Sequence, residues 1–343
     1  MLALLGPSGC GKTSTLKMIA GIEDIDAGEI YFDEDLVNGL SPGARNIAMV
    51  FEDYALYPNM SVSENVAFPL KLRKWPERDI RKRIDPILEL LDLQDQKDSN
   101  VRRLSGGAQQ RVSIGRALVR EPELIVFDEP LSHLDADQKV QLRGEIRRLQ
   151  KATGLTGILV THDQTEAVAM ADLVAVMNHG ELQQIDEPQV LYEHPANLFV
   201  ANFIGEPPMN LLPVRLEETG SGQRLTGAGW SLAPGPEIAR RIGDAAQDRD
   251  LILGVRPELI DVVEPGAQSA SDIRGTVVWH EYRGDAHVLT VDIADGATEI
   301  IVESRQAAGL DRGAAIGLAF PDPALNVFDA ADGRNLLAGM PRP

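Results

Sequence analysis

The stretch GPSGCGKT, residues 6–13, constrains this chain more than any other. It follows the apolar run LALL and precedes a helical pattern, so it reads as the turn between a buried strand and a helix. Gly6, Gly9 and Gly11 let the backbone curl until its N–H groups converge, and the helix that follows adds its positive N-terminal end. Such a cradle takes phosphate. The spacing G-x-x-x-x-G-K-[ST] sends Lys12 toward the β- and γ-phosphates of a nucleotide and offers the Thr13 hydroxyl to Mg²⁺. Pro7, Ser8, Cys10 and Ser14 complete the segment expected to wrap the phosphates. The competing reading is a plain glycine-rich turn, which the strand–loop–helix context makes the weaker one.

A second motif supplies what a phosphate loop lacks. In LIVFDEP (124–130) four apolar residues lead into Asp128 and Glu129 at the carboxyl end of a strand, where ligands gather in open parallel sheets. Asp128 suits a hydrogen bond to Mg²⁺-bound water. Glu129 suits positioning or deprotonating an attacking water. An acidic strand-end loop would look the same in isolation.

LSGGAQQR (104–111) narrows the field further. Ser105, Gly106 and Gly107 precede a helix and form a second place where N–H groups can meet an anion. One triphosphate does not need two cradles. The simple explanation is that the second closes over the ATP of another subunit.

Composition limits the alternatives. The net charge is −19 and no lysine follows Lys151, which disfavours gripping nucleic-acid phosphates or an anionic membrane. Cys10 is the single cysteine, so no internal disulfide forms. No apolar run approaches the roughly 18 residues of a membrane-spanning helix, and MLALLG lacks the basic flank of a signal peptide. Strand-like runs also stand at 156–163 and 173–178. Ile80, Ile84, Leu88 and Leu91 recur at helical spacing, as do Leu142, Ile146 and Leu149, with Pro86 a possible kink in the first set. The pattern changes near GEPPMNLLP (205–213). Beyond it, alternating stretches such as GTVVWHEYRGDAHVLTVDI (275–293) read as β-structure with tight turns. A domain boundary is placed at about 205–212, and Trp230 and Trp279 are expected in the core.

Taken in order, GPSGCGKT, FEDYALYP (51–58), LSGGAQQR, LIVFDEPLSHLDA and VTHDQTEA make the chain resemble the nucleotide-binding subunits of ABC transporters. It is most similar to the bacterial importers of sugars and related solutes, the maltose and sn-glycerol-phosphate types. The resemblance implies an α/β P-loop ATPase over residues 1–205. This has a RecA-like core and a helical subdomain at about 59–116, followed by an OB-like (TOBE) domain at 206–343 with GVRPELI (254–260) in it. It implies ATP and Mg²⁺ as cofactors, with Thr13, Glu52 and Asp128 toward the metal. It implies Glu129, His162 and Glu52 in catalysis. His162 would contact the γ-phosphate. Asp135 would sit at the subunit interface, and Ser105, Gly106 and Gly107 would act on the partner's nucleotide. The implied partners are a second ATPase subunit, two membrane permeases and, indirectly, an extracytoplasmic solute-binding protein, but no nucleic acid. The implied location is the cytoplasmic face of the bacterial inner membrane. The OB-like domain would serve regulation or dimerisation.

The chain departs from the family pattern in four places. Position 52 is Glu where the family has Gln: an oxygen is kept, an N–H₂ donor is lost and a charge is added beside phosphate. Position 108 is Ala where Gln is usual. Position 133 is His where smaller or amide residues are common. The family also carries strands, with an adenine-stacking aromatic, ahead of the one that enters the phosphate loop. The expectation is that such strands precede this sequence.

Overall fold

The computed structural model describes residues 1–339 except 221, 246–248, 264–272, 294–295, 297, 306 and 308. The chain forms two compact units, Met1–Pro188 and Gln189–Pro343.

The first unit is built on a six-stranded sheet. Its order is Ile47–Val50, Leu124–Asp128, Thr156–Thr161, Leu2–Leu5, Leu173–Asn178 and Glu181–Asp186. The first five strands are parallel, and the last pairs antiparallel at the edge. Parallel strands are covered on both faces, which is why these segments read as continuous apolar runs. Leu4, Leu16, Val126, Val160 and Ala175 belong to the core under the sheet. The helix α1 (Lys12–Ala20) follows the first strand, and α5 (Ala136–Thr153) and α6 (Gln164–Met170) follow two others. In α5 the expected Leu142, Ile146 and Leu149 are the buried residues.

Between the Ile47–Val50 and Leu124–Asp128 strands the chain makes a helical layer. It contains α2 (Val62–Leu72), α3 (Glu77–Leu90) and α4 (Gly106–Leu118). Ser61 and Glu64 form a capping box that starts α2. In α3, Ile80, Ile84 and Leu88 are buried as the spacing predicts, and the helix runs on through Pro86 without ending there.

The second unit has two five-stranded antiparallel sheets. One is ordered 230–232, 222–227, 210–219, 250–255, 325–329. The other is ordered 261–263, 315–319, 273–282, 287–292, 299–304. Residues from both, including Leu225, Leu253, Val277, Val291 and Val327, share one apolar core.

The division between units falls at 188/189, upstream of the change in composition at 205–212. Helices α7 (Pro188–Glu193) and α8 (Leu198–Phe203) are joined to the β-unit by several contacts, among them Tyr192 to Glu258 and Leu198 N to Gly333 O, with one buried side chain at the centre. The buried Arg256 guanidinium donates to Tyr192 O at 2.8 Å, to Ala201 O at 3.2 Å and to Ile204 O, and it lies 4.1 Å from the Tyr192 ring centroid. Composition follows the secondary-structure type, whereas packing follows this clamp.

Trp230 is buried, edge-on to Phe320 at 6.4 Å. Trp279 is not in the core: it is 63% exposed. The register between strands 273–282 and 287–292 shifts between Val277 and Trp279. Such a bulge re-aims the side chain that follows it, an event strict alternation does not foresee.

Candidate functional site

The phosphate-loop segment, the acidic strand end and His162 are brought together by sheet order alone. The strands ending at Leu5, Asp128 and Thr161 are consecutive in the sheet and parallel, so all three carboxyl ends open on one side.

Gly6 turns where a side chain has no room: a Cβ there would lie 2.3 Å from Met177 O. Gly9 (φ 79°) and Gly11 (φ 106°) take the left-handed region. Gly11 caps α1 without any side-chain hydrogen bond, so the first-turn N–H groups stay available to a ligand. Lys12 is buried, and its Nζ donates to Gly6 O at 2.8 Å and Pro7 O at 3.1 Å, with Cys10 Sγ 3.7 Å away. The loop's own carbonyls therefore hold the ammonium inside the cradle. Cys10 is buried, whereas Ser8, Thr13 and Ser14 face outward.

Asp128 closes its strand and Glu129 follows with φ 45°, a conformation non-glycine residues avoid. The neighbouring strand holds it there: Glu129 N donates to Val160 O at 2.9 Å, and Ser132 Oγ donates to Glu129 O at 3.0 Å. Glu129 Oε2 lies 3.2 Å from His162 Nδ1. Burial pushes the Asp128 carboxyl up, and the charges of Glu129 and Glu52 push it further against the pull of Lys17 and Lys12. Asp128 thus feels two further carboxylate charges as well as the nearby ammonium groups.

Two of the three residues that depart from the family pattern face each other. His133 Nε2 is 3.6 Å from Glu52 Oε1, both half-exposed. The imidazole stands beside the charge that Glu52 introduces, an account of position 133 the sequence did not supply.

Residues 1–132 match the ABC transporter family model, 205–260 a MalK OB fold domain and 253–328 a TOBE domain. The sn-glycerol-3-phosphate import ATP-binding protein UgpC of Chromohalobacter salexigens is 43% identical over 99% of this chain and 89% of its own. The trehalose/maltose import ATP-binding protein MalK of Thermococcus litoralis is 40% identical over 97% and 91%. The chain belongs to the ABC import ATP-binding proteins. A solved structure, cbiO1 of Clostridium perfringens, described as part of the ABC transporter complex cbiONQ, superposes with TM-score 0.52 at 32% identity. It covers 55% of this chain and 77% of that one.

In this ABC subunit, among the described residues, no hydrogen bond or ion pair joins Ser105–Gly107 of the LSGGAQQR signature to residues 6–14. Ser105 caps α4 by accepting from Ala108 N at 3.4 Å. Ala108 contributes only that N–H, and its side chain is buried. Gln109 donates to Val101 O and Leu104 O and so braces the turn. Asp135 caps α5 through Gln138 N at 2.9 Å.

The FEDYALYP loop is tied down by residues that sequence reasoning did not single out. Tyr54 (φ 60°) and Ala55 (φ 44°) are both left-handed. Their carbonyls accept from α4: Ser113 Oγ and Arg116 Nη2 reach Tyr54 O at 3.0 and 2.9 Å, and Arg116 Nη1 reaches Ala55 O at 2.5 Å. Asn65, fully buried, brackets Tyr57 by accepting from its N–H at 2.8 Å and donating to its C=O at 3.1 Å. The loop with Glu52 is thus wired to the helix that carries the signature. Only the polar residues at helical positions 65, 113 and 116 hinted at this.

Proposed function

We propose that this chain is the ATP-hydrolysing subunit of an importer for a sugar, polyol or related small solute. Closure of two such subunits over ATP would drive two permeases fed by an extracytoplasmic binding protein. The carrying observation is the convergence of the glycine cradle, Asp128–Glu129 and His162 on the carboxyl ends of three adjacent parallel strands. The relatives' names supply the solute class: sn-glycerol-3-phosphate, trehalose/maltose and diacetylchitobiose. Among the described residues no helix is long and apolar enough to cross a membrane. In this reading the two permeases would hold the subunit at the cytoplasmic face.

Residues 6–14 would wrap the triphosphate, with Lys12 leaving its carbonyl partners for the β- and γ-phosphates. Glu129 would hold and deprotonate the attacking water, and His162 would fix the γ-phosphate. Its 3.2 Å contact with Glu129 keeps both groups on one reacting centre. Ser105–Gly107, which make no hydrogen bond to the chain's own phosphate loop among the described residues, would serve the partner's ATP, with Asp135 at that interface. A Mg²⁺ ion fits: Thr13 offers a hydroxyl, and the crowded Asp128 and Glu52 carboxylates would gain from a cation. Among the described residues no three acidic, imidazole or thiolate groups suffice to hold a metal alone. That suits Mg²⁺, which takes most of its ligands from phosphate and water. When bound it would neutralise phosphate charge.

ATPase measurement on the assembled transporter tests this. Glu129→Gln should cut turnover at least 100-fold while nucleotide affinity stays within about threefold, as expected for loss of a general base. Equal turnover in both proteins would overturn the assignment.

A further inference from the structure

We propose that Thr161, Glu166 and Lys139 are positioning residues for His162, locking the loop that carries it to the first turns of α5. The proposal rests on the reading of His162 as a γ-phosphate contact. His162 itself is 62% exposed and receives little support from packing. The residues on either side of it are held differently. Thr161, buried at the strand end, donates from Oγ1 to Glu166 Oε2 at 2.7 Å and accepts from Asp163 N at 3.0 Å. One hydroxyl therefore spans His162 and closes its backbone into a fixed turn.

The carboxylate that receives this hydroxyl is unusual in its own right. Glu166 is 3% exposed, and buried carboxylates persist only when paired. Its second oxygen accepts from Lys139 Nζ at 3.2 Å, and the same ammonium lies 3.8 Å from Asp163 Oδ2. Asp163 in turn caps α6 through Thr165 N and Glu166 N. Lys139 stands one turn into α5, its N–H bonded to the Asp135 carbonyl at 2.9 Å. The chain Asp135–Lys139–Glu166–Thr161 thus joins the start of α5 to the turn holding His162. If Asp135 meets a second subunit, a shift of that turn is transmitted to His162 through the Lys139–Glu166 ion pair, whose carboxylate is buried. Catalysis depends steeply on such placement: a misplacement of about 1 Å can cost on the order of 100-fold in rate.

Steady-state ATPase of the assembled transporter separates this from a purely structural role. Thr161→Val keeps the shape and removes the hydroxyl. It should lower kcat about tenfold while KM for ATP stays within twofold, and Thr161→Ser should restore at least half of kcat. Glu166→Gln, which keeps the buried volume but breaks the Lys139 pair, should show the same split and stands in if Thr161→Val fails to fold. Wild-type kcat in these variants, a parallel rise in KM, or a Thr161→Ser protein as impaired as Thr161→Val would overturn the proposal. His162→Ala is the separate control: undiminished turnover there would remove the reading of His162 itself, whatever the others do.

Discussion

Asn65→Leu isolates the contribution of one buried amide to the nucleotide unit. Asn65 is 0% exposed and makes three side-chain hydrogen bonds, to Tyr57 N at 2.8 Å, Tyr57 O at 3.1 Å and Ser61 O at 3.0 Å. Leucine has the same number of side-chain heavy atoms and the same branching but is bulkier, and it bonds to none of them. Two of the three partners have a second bond in reserve: Met60 N reaches Tyr57 O at 3.2 Å, and Asn65 N reaches Ser61 O at 3.0 Å. Only the Tyr57 N–H is orphaned, at roughly 1–3 kcal/mol, while the other two losses cost about 0.5–1.5 kcal/mol each. Burying an isobutyl group where an amide sat returns about 1–2 kcal/mol. Taken at mid-range, these terms leave a net destabilisation of about 2–3 kcal/mol. For a unit of this size that is roughly 4–12 °C in melting midpoint. Calorimetry of the full chain reads it on the transition that ATP shifts upward, and amide exchange at Tyr57 should accelerate. A midpoint within about 2 °C of wild type would show that the bracket does not hold the loop and refute the reasoning.

Other substitutions test the site piece by piece. Gly6→Ala puts a Cβ 2.3 Å from Met177 O and should abolish binding of a fluorescent ATP analogue, because the loop must move to fit it. Asp128→Asn should stabilise the nucleotide- and Mg²⁺-free protein near neutral pH. The native carboxyl is raised, so its contribution to stability is present below its unfolded pKa and is lost as pH rises through its folded pKa; denaturant titrations should show the gain at pH 7.5 shrinking toward pH 4. Gln110 is fully buried, and neither of its amide atoms has a partner among the described residues. Gln110→Met should raise the midpoint of the ATP-sensitive transition, since an unsatisfied buried amide costs about 1–3 kcal/mol. Trp279→Ala, at an exposed position past a bulge, should change stability by no more than about 0.5 kcal/mol.

Much of the nucleotide unit was readable because parallel strands buried on both faces are written as apolar runs, and the phosphate loop is written as glycines at fixed spacing. The strand Ile47–Val50 was not singled out. The helical faces of α3 and α5 followed from spacing, since burial on one side repeats every three to four residues. The fates of the two tryptophans were not readable in the same way. Both sit in β-patterns, and only the shift of register after Val277 turns Trp279 outward. The packing of α7 and α8 onto the β-unit was not readable for a similar reason: Arg256 lies more than fifty residues from Tyr192 and Ala201, whose carbonyls it binds.

The sequence by itself determined the chemistry at hand: a phosphate cradle, a carboxylate pair, a histidine and a signature loop, because each depends on residue types at short fixed spacing. Tertiary structure alone decided which of these meet. Strand order sets Glu129 against His162, and loop packing sets Glu52 against His133. A buried carboxylate, Glu166, ties the His162 turn to α5. Such contacts join residues tens of positions apart, and their geometry follows from how strands pair and helices dock, which no local spacing encodes.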